Sequence, residues 1–322
     1  MKLLVTGGLG FIGSNFIISI LKNYPDFTII NVDAELEGSN HENLKEVQNS
    51  KNYHHIKGNI NDHNLMEKTV SESDAIINFA AESHVDRSIS NARPFMDSNI
   101  MGVFTILEII KNQRKRLVHI STDEVFGSLK NESADEGFRL NPSSPYASSK
   151  AAAELLINSY VVTHGCDIVI TRCTNNYGPR QYPEKLIPKT ISLAMENKKI
   201  PIYGTGKNIR NWIHVNDHTE AITKVLFKGK GGESYNISTS HEFDNLTIVR
   251  KILALMGKST DMIEFVEDRL GHDFRYSMNS TKIRNELGWS EKIDFEHGLQ
   301  KTVEWYLENK SWWNNTTHSK ST

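Results

Sequence analysis

A threonine and two acidic residues follow one another at the end of an apolar run. The run RLVHIST (116–122) is typical of a buried strand, and Asp123 and Glu124 come directly after Thr122. Two adjacent carboxyl groups at the end of a buried strand cost free energy unless something uses or neutralises them. Taken alone, the pair could serve a reaction, cap the following turn or form ion pairs at the surface.

A tyrosine and a lysine stand four residues apart in SPYASSKAAAELL (144–156), which opens a predicted helix. Tyr146 and Lys150 therefore share one helix face. We expect the ammonium group to lower the pKa of the phenol, so that a tyrosinate can accept a hydroxyl proton while hydride leaves for a nicotinamide. The spacing is common by chance, and the entry from Ser144 could otherwise be ordinary helix capping.

A glycine-rich turn lies between the first predicted strand and the first predicted helix. Gly7, Gly10 and Gly13 of VTGGLGFIGS (5–14) allow the backbone to approach a pyrophosphate at the helix N-terminus. Asp33 ends the second predicted strand, where it would bind the ribose hydroxyls and repel a 2′-phosphate. The pattern predicts NAD rather than NADP, with Asn59 and Ile60 as candidate contacts of the adenine.

Short apolar strands alternate with amphipathic helices up to about residue 178, which predicts an α/β fold with a Rossmann-type, doubly wound parallel sheet. Prolines and glycines then cluster, and we expect a smaller C-terminal substrate-binding lobe. We assign residues 1–178 to the NAD-binding domain and 179–322 to this substrate-binding lobe, with chain crossings between them. The predicted strands are 2–7, 27–33, 53–59, 74–80, 116–122 and 167–173; the predicted helices include 12–23, 95–113, 146–164 and 294–309.

Composition excludes several classes of partner. The 322 residues carry a net charge of −2, which gives no argument for binding nucleic acid or an anionic membrane. We find no signal-peptide pattern and no apolar run long enough for a membrane helix, so we expect a cytoplasmic protein. Cys166 and Cys173 cannot form a disulfide framework, and the histidines show no helical metal pairing, so no metal site is predicted.

Several motifs together resemble the dTDP-glucose 4,6-dehydratases, a family of the extended short-chain dehydrogenases/reductases, over nearly the full length. The motifs are TGGLGFIGSNF, FAAESHVDRSI, STDEVFGS, SPYASSKA, RCTNNYGPRQYPEKLIP and DRLGHDFRY. The resemblance implies an NAD-dependent lyase that forms a 4-keto-6-deoxy sugar nucleotide. It implies that Tyr146 removes the 4-hydroxyl proton with help from Thr122 and Lys150. Glu124 then removes the C5 proton, and Asp123 protonates the departing 6-hydroxyl.

The resemblance also implies a set of binding residues. The cofactor contacts would be Gly7, Gly10, Phe11, Ile12, Gly13, Asp33, Asn59, Ile60, Phe79, Ala80, Ala81, Ser98, Tyr146, Lys150 and Asn176. The substrate contacts would be Ser83, Thr122, Asn175, Lys185, Leu186, Pro201, Tyr203, Arg210, Asn245, Arg269 and His272. A planar guanidinium suits a diphosphate, which supports Arg210 and Arg269 independently of the resemblance.

The chain departs from the family pattern near the nucleotide contacts. Glu35 and Glu37 follow the second strand, Asn59 and Asn211 stand where the family usually has aspartate, and Leu270 replaces a proline. These changes leave the reaction unaffected but keep other substrates open. The alternatives are a UDP-sugar 4,6-dehydratase, for example on UDP-N-acetylglucosamine, or a 4-epimerase; a non-catalytic NAD-dependent scaffold is a rival from another class.

Two further expectations concern the surface of the molecule. The helices at 95–113 and 146–164 carry enough apolar residues to pair across a homodimer interface. The final segment WWNNTTHSKST (312–322) reads as a polar, frayed tail. Its two tryptophans could form a docking patch or belong to the core.

Overall fold

The computed structural model describes residues 1–313 of the chain. Most of the predicted polar tail therefore lies outside the described residues. Its first two residues do not behave as a tail, because Trp312 and Trp313 are buried and their rings pack against Tyr306. The indole N–H of Trp312 also donates to Asn43 Oδ1 at 2.7 Å. These two residues belong to the core, so the prediction of fraying is wrong at this point.

The strands form one large parallel sheet and two small sheets. The strands are β1 (Lys2–Thr6), β2 (Thr28–Asp33), β3 (Tyr53–Lys57), β4 (Ala75–Asn78), β5 (Arg116–Thr122), β6 (Ile168–Cys173), β7 (Asn175–Tyr177), β8 (Ile200–Tyr203), β9 (Ile209–His214), β10 (Ser234–Ile237), β11 (Glu242–Asp244) and β12 (Ile263–Val266). The large sheet has seven strands in the order β3-β2-β1-β4-β5-β6-β10. All its pairings are parallel, so the carboxyl ends of its strands share one edge.

Helices cover both faces of this sheet. The helices are α1 (Phe11–Asn23), α2 (His63–Ser71), α3 (Val85–Ser90), α4 (Arg93–Met96), α5 (Gly102–Gln113), α6 (Pro145–His164), α7 (Leu186–Met195), α8 (Val215–Lys228), α9 (Asn245–Leu255), α10 (Thr281–Leu287) and α11 (Phe295–Glu308). Helices α1 and α8 pack on one face, and α2, α5 and α6 on the other, each against a fully buried apolar layer. This arrangement confirms the predicted α/β fold.

The predicted strands of the first 178 residues are all present. The structure differs from the prediction at one later strand and at one predicted helix. Strand β10 was not predicted, because the short, partly polar SYNI gives no clear apolar run. The predicted helix 95–113 is instead α4, a π-helical turn at Asp97–Met101 and α5. Ser98, a predicted cofactor contact, lies in that π-helical turn, which is a common feature of functional sites.

The smaller lobe has its own core. Strands β11, β9 and β7 form a three-stranded sheet, and β12 pairs with β8. Tyr177, Trp212 and Phe295 fill the core between that sheet and α11. The chain also returns from this lobe to the large sheet, since α8 packs against α1 and β10 pairs with β6. Within residues 1–313, no helix has the length and apolar character needed to span a bilayer.

Candidate active site

A cavity of about 540 Å³ opens at the carboxyl ends of the large sheet. It is lined by residues that follow β1, β2, β4, β5 and β6 and by the segment 181–185 that leads into the smaller lobe. Such a crevice is where open α/β sheets bind ligands. The predicted site residues in its lining are Gly7, Gly10, Phe11, Ile12, Gly13, Asp33, Asn59, Ile60, Phe79, Ala80, Ala81, Ser83, Ser98, Thr122, Asp123, Glu124, Tyr146, Lys150, Asn175, Asn176 and Lys185.

The turn between β1 and α1 requires glycine. Gly7 has φ 71°, and a Cβ atom there would lie 2.6 Å from the backbone nitrogen of Ala80. A Cβ atom on Gly13 would lie 2.5 Å from the carbonyl oxygen of Gly7. Because α1 begins at Phe11, its first N–H groups face the cavity edge without an intrahelical partner. The turn thus offers a close backbone approach and donors for an anion.

Asp33 lies at the end of β2, and its carboxylate is already oriented by the protein. Oδ2 accepts a hydrogen bond from the N–H of Leu9 at 2.9 Å. Oδ1 accepts from the N–H of Glu35 at 2.9 Å and from the hydroxyl of Ser39 at 2.7 Å. These bonds tie the carboxylate both to the glycine turn and to the segment after β2.

The two adjacent carboxyl groups sit in unequal surroundings. Thr122 caps the 3₁₀ helix Asp123–Phe126, and its hydroxyl donates to Asp123 Oδ1 at 3.2 Å. Thr174 donates to Asp123 Oδ2 at 3.2 Å. Burial, reinforced by the neighbouring Glu124, raises the pKa of Asp123 to about 7. Burial also raises the pKa of Glu124, but the positive charges of Arg269 and Arg210 oppose that rise.

Helix α6 presents Tyr146 and Lys150 to the same cavity. Ser144 caps the helix by accepting from the N–H of Ala147. The ammonium group of Lys150 donates to the carbonyl oxygen of Ile120 at 2.6 Å, and burial lowers its pKa to about 8. Burial and the nearby Glu124 instead raise the pKa of Tyr146 well above its ordinary value. The expected lowering of that pKa is therefore wrong, because desolvation and the carboxylates of Glu124 and Asp123 raise it.

A buried polar chain beneath Lys150 was missed by the sequence reasoning. The hydroxyl of Thr6 donates to Asn78 Oδ1 at 2.6 Å, and Asn78 Nδ2 lies 3.1 Å from Nδ1 of His119. Nε2 of His119 lies 3.5 Å from Nζ of Lys150. Thr6, Asn78 and His119 lie on the neighbouring strands β1, β4 and β5, and none of them is exposed. The sequence signal for this chain of contacts was a polar residue inside each of three buried strands.

Asn175 and Asn176 begin β7, but they differ in how far the protein satisfies them. Asn176 Nδ2 donates to the carbonyl oxygen of Thr174 at 3.0 Å, and its Oδ1 lies 2.8 Å from Nδ1 of His218. Oδ1 of Asn175 is buried and finds no hydrogen-bond partner among residues 1–313. That oxygen lies in a residue that lines the cavity, which makes it available to a ligand donor.

Seven predicted substrate contacts do not line this cavity: Leu186, Pro201, Tyr203, Arg210, Asn245, Arg269 and His272. Two of them meet at Asp86 on α3, which accepts from the hydroxyl of Tyr203 at 3.2 Å and from Arg269 at 3.4 Å. The ring of His272 lies 6.3 Å from that of Tyr203. The structure thus brings Tyr203, Arg269 and His272 together in the second lobe.

Of the remaining four, Arg210 is the most constrained. Its guanidinium lies 4.3 Å from the ring centre of Tyr276 and donates to backbone carbonyl oxygens, including that of Asp273 at 2.9 Å. Its charge acts on both Asp123 and Glu124. Leu186 and Asn245 begin α7 and α9, and Pro201 lies in β8. Within residues 1–313, none of these three forms a hydrogen bond with Asp86.

Arg87 is a cavity-lining residue to which the sequence reasoning gave no role. It forms ion pairs with Glu37, which follows β2, and with Glu184, which precedes α7, the latter at 3.4 Å. Its side chain therefore joins the two rims of the cavity. Arg87 lies inside the motif FAAESHVDRSI. From sequence alone, an arginine that bridges two segments looks the same as an arginine exposed to solvent on a short helix.

Comparisons with known proteins agree with this geometry. The family model described as GDP-mannose 4,6 dehydratase matches residues 4–302. A dTDP-glucose 4,6-dehydratase of Streptomyces niveus is 46% identical over 318 residues, covering 97% of this chain and 95% of that protein. The crystal structure of DesIV, a dTDP-glucose 4,6-dehydratase from Streptomyces venezuelae with NAD bound, has a TM-score of 0.96 at 42% identity. It is matched over 98% of this chain and 100% of that one.

A second crystal structure gives the same result. The dTDP-glucose 4,6-dehydratase of Bacillus anthracis in complex with NAD has a TM-score of 0.93 and 46% identity, over 98% of this chain and 100% of that one. The sheet order, the glycine turn and the Tyr146–Lys150 pair on α6 together define an extended short-chain dehydrogenase/reductase. Within that superfamily, the chain belongs to the dTDP-glucose 4,6-dehydratase family. The resemblance predicted from the sequence is confirmed.

Proposed function

We propose that this chain is an NAD-dependent lyase that converts dTDP-glucose to dTDP-4-keto-6-deoxyglucose. The observation that carries the proposal is the pair Asp123 and Glu124 in the same cavity as Tyr146 and Lys150. Elimination of water needs a proton donor and a proton acceptor at once, and the pair offers two carboxyl groups in unequal surroundings. An epimerase has no step that would use this pair, so the geometry favours the dehydratase over the 4-epimerase.

The lining residues suit NAD as the cofactor. The backbone around Gly7 and Gly13 would hold the pyrophosphate, and Asp33 would accept from the ribose hydroxyls. Asn59 and Ile60 would lie at the adenine, and Phe79, Ala80, Ala81, Ser98 and Asn176 would complete the cofactor side. When bound, NAD would supply the hydride acceptor for oxidation at C4 and the hydride donor for reduction at C6.

The side chains of the chain itself then move the protons. Tyr146 would take the 4-hydroxyl proton in its ionised form, while Thr122 hydrogen-bonds the 4-oxygen. The positive charges of Lys150 and of the bound nicotinamide ring would oppose the rise in the pKa of Tyr146. Glu124 would remove the C5 proton, which the neighbouring 4-ketone acidifies. Asp123 would deliver a proton to the 6-hydroxyl as it leaves. A pKa of about 7 keeps a large fraction of Asp123 protonated at neutral pH, as the donor role requires.

The sugar nucleotide would extend from the cavity toward the second lobe. Ser83, Asn175 and Lys185 are the lining residues assigned to it, and the unpaired carbonyl oxygen of Asn175 supports its part. The diphosphate and base would then meet Arg210, Arg269, His272 and Tyr203, with Leu186, Pro201 and Asn245 completing the contacts. Positive charge from Arg210 and Arg269 beside Glu124 supports binding of a diphosphate near the reacting carbons.

Three further features complete the proposal. We assign residues 1–178 to NAD and 179–322 to the sugar nucleotide, although β10 and α8 return to the large sheet.

We propose a homodimer formed by α5 and α6. We also propose a cytoplasmic location, in which the free thiols of Cys166 and Cys173 stay reduced. No partner of nucleic acid or membrane is proposed, since the net charge is −2.

A single incubation tests the activity and the nucleotide together. Purified protein with NAD is given dTDP-glucose, UDP-glucose or UDP-N-acetylglucosamine, and the products are read by mass spectrometry. We expect the dTDP-sugar to lose the mass of one water. Loss of water from a UDP-sugar alone would favour the UDP-sugar dehydratase, and an inverted C4 configuration by NMR without mass loss would favour the epimerase. No reaction of bound NAD with any substrate would favour a scaffold.

A further inference from the structure

Three potential metal ligands meet beside the cofactor cavity. Glu35 follows β2, His41 opens the 3₁₀ helix His41–Leu44, and His55 lies on β3. Oε1 of Glu35 lies 3.0 Å from Nε2 of His55 and 3.3 Å from Nε2 of His41. The three ligand atoms all lie within 4.8 Å of one another. Neither the hydride chemistry nor the elimination gives this cluster a role.

These distances match the edges of a small coordination polyhedron. A tetrahedral zinc ion with bonds of about 2.0–2.1 Å separates its ligand atoms by about 3.3 Å. The carboxylate oxygen already stands at that separation from both imidazole nitrogens. The imidazole rings are perpendicular, with centres 5.1 Å apart, and their ligand nitrogens lie within 4.8 Å of each other.

The surroundings of Glu35 hold its carboxylate in place. Its other oxygen, Oε2, accepts a hydrogen bond from the ammonium group of Lys57 at 2.9 Å, which leaves Oε1 to the histidines. A ligating carboxylate is commonly oriented by such a second contact.

The backbone of Glu35 is also unusual. Its φ of 56° lies in the left-handed region, which a glutamate adopts only at a cost in free energy. That conformation turns the Glu35 side chain toward His55 while its N–H bonds to Asp33. Without a metal ion, Nε2 of His55 holds a proton toward Glu35 Oε1 at 3.0 Å, and a bound metal ion would displace that proton.

We infer that Glu35, His41 and His55 form a binding site for a divalent transition metal of the zinc class. Two imidazole nitrogens and one carboxylate oxygen suit zinc, cobalt or nickel, whereas magnesium and calcium prefer oxygen ligands alone. His41 is 60% exposed, so the fourth position is open to water. The ligands come from three separate segments, which is why their sequence spacing shows no metal motif.

The site would act on the adenosine end of the cavity. The segment between Glu35 and His41 includes Leu36, Glu37 and Ser39, which line that cavity. Ser39 and the N–H of Glu35 both donate to Asp33 Oδ1. A metal ion joining Glu35 to His41 would fix this segment at both ends, so we expect it to tighten the binding of NAD.

The test uses the full-length chain, free of any histidine tag and stripped with a chelator. Cobalt is titrated and its visible absorption recorded, and zinc is then titrated by calorimetry. We expect one ion per chain, with visible absorption typical of cobalt that has a low coordination number. His41→Ala and Glu35→Gln should each weaken binding by at least about tenfold, since each removes a ligand atom. Far-UV circular dichroism shows that each variant is folded.

His54→Ala is the matched control, because His54 is exposed on the same strand as His55 and outside the cluster. It should bind the metal as wild type does. No stoichiometric uptake by wild type, or an equal loss in His54→Ala, overturns the site. Zinc should also lower the dissociation constant for NAD in wild type but not in His41→Ala. An unchanged NAD affinity in metal-loaded wild type overturns the coupling to the cofactor.

Discussion

At the scale of single residues, burial sets the acid–base chemistry of the cavity. Asp123 and Glu124 are neighbours in sequence, yet Arg269 is a leading opposing charge for Glu124 alone. Burial and the charge of Glu124 raise the pKa of Asp123 to about 7, against the charge of Arg210 and the hydrogen bonds from two threonine hydroxyl groups. One carboxyl group can thus hold a proton while the other accepts one. The positions of these residues follow from sequence, but their division of roles depends on residues far away in the chain.

Asp123→Asn tests the proton-donor role. We expect C4 oxidation to continue while elimination slows by about a hundredfold or more, because the amide cannot protonate the leaving hydroxyl. Reduced cofactor should therefore accumulate, read by its absorbance after adding dTDP-glucose. Tyr146→Phe serves as the comparison and should block the appearance of reduced cofactor. Full turnover by Asp123→Asn would contradict the assignment.

The same substitution makes a prediction about stability and pH. The pKa of Asp123 is about 7 when folded and about 3.9 when unfolded, so the folded state binds more protons in between. The stabilising contribution is complete below about pH 4 and is lost as pH rises through 7. The melting temperature of Asp123→Asn minus that of wild type should therefore be larger at pH 8 than at pH 4. Thermal unfolding at both values measures this, and an equal difference at both would contradict the raised pKa.

His119 is a positioning residue for Lys150. Asn78 donates to Nδ1 of His119, which assigns the proton of the neutral ring to Nε2, facing Nζ of Lys150. Burial lowers the pKa of Lys150 to about 8, and an N–H dipole aimed at the ammonium group would add to that lowering. His119→Gln offers a carbonyl oxygen instead. We expect kcat to fall about tenfold with KM nearly unchanged, and the alkaline limb of the pH profile to move upward from about pH 8.

The control for this prediction is His63→Gln, since His63 is exposed at the start of α2. Its kinetics and pH profile should match those of wild type. A loss of kcat in His119→Gln without any shift in the alkaline limb would indicate a packing role alone. His119 illustrates what sequence leaves out, because a buried histidine in a strand could equally be a satisfied core residue.

At the scale of elements, a buried ion pair fixes the helix that carries Tyr146, the proposed proton acceptor. Arg172 on β6 forms two-pronged contacts with Glu154 on α6, with a closest separation of 2.8 Å, and both side chains are almost wholly buried. Arg172 also donates to the carbonyl oxygen of Glu136 and lies 5.0 Å from the ring centre of Phe126. The pair therefore ties α6 to the sheet one turn beyond Lys150.

Glu154→Gln should destabilise the protein strongly. It leaves the guanidinium of Arg172 buried without its counter-charge, which typically costs about 3–5 kcal/mol. The free energy of unfolding is measured by urea denaturation, with Glu304→Gln as the control because its partner Lys301 is exposed. The control should unfold as wild type does. A Glu154→Gln variant of wild-type stability would show that the pair does not hold α6.

The elements show how far sequence reasoning reaches. Strand β1, the glycine turn and α1 were predicted because apolar periodicity and glycine spacing are local signals. Strand β10 and the π-helical turn Asp97–Met101 were not, because the first depends on pairing with β6 and the second on tertiary contacts. The cavity-lining residues that follow strands were predictable for the same reason as the strands. The ion pairs of Arg87 could be found only in the folded structure, because they join distant segments of the chain.

At the scale of the whole molecule, α5 and α6 leave apolar side chains without cover. Leu155 and Val162 on α6 are 62% and 84% exposed, and Met101 in the π-helical turn and Phe104 in α5 are also exposed. Helices α5 and α6 pack against each other, so these residues lie on neighbouring elements. Grouped apolar residues on a surface mark an interface more often than single ones do. A second copy of the chain would cover them by pairing the same helices across a two-fold axis.

The dimer prediction is tested by light scattering at micromolar concentration. Wild type should have twice the chain mass of 36.6 kDa, because burying both helix faces removes their apolar side chains from water. The double variant Leu155→Glu, Val162→Glu should be monomeric, since pairing would bury two carboxylates against their counterparts. Leu270→Glu is the control, because Leu270 is 78% exposed but lies in the other lobe, and it should remain dimeric. A wild-type mass of one chain, or dissociation caused equally by Leu270→Glu, would contradict an interface at α5 and α6.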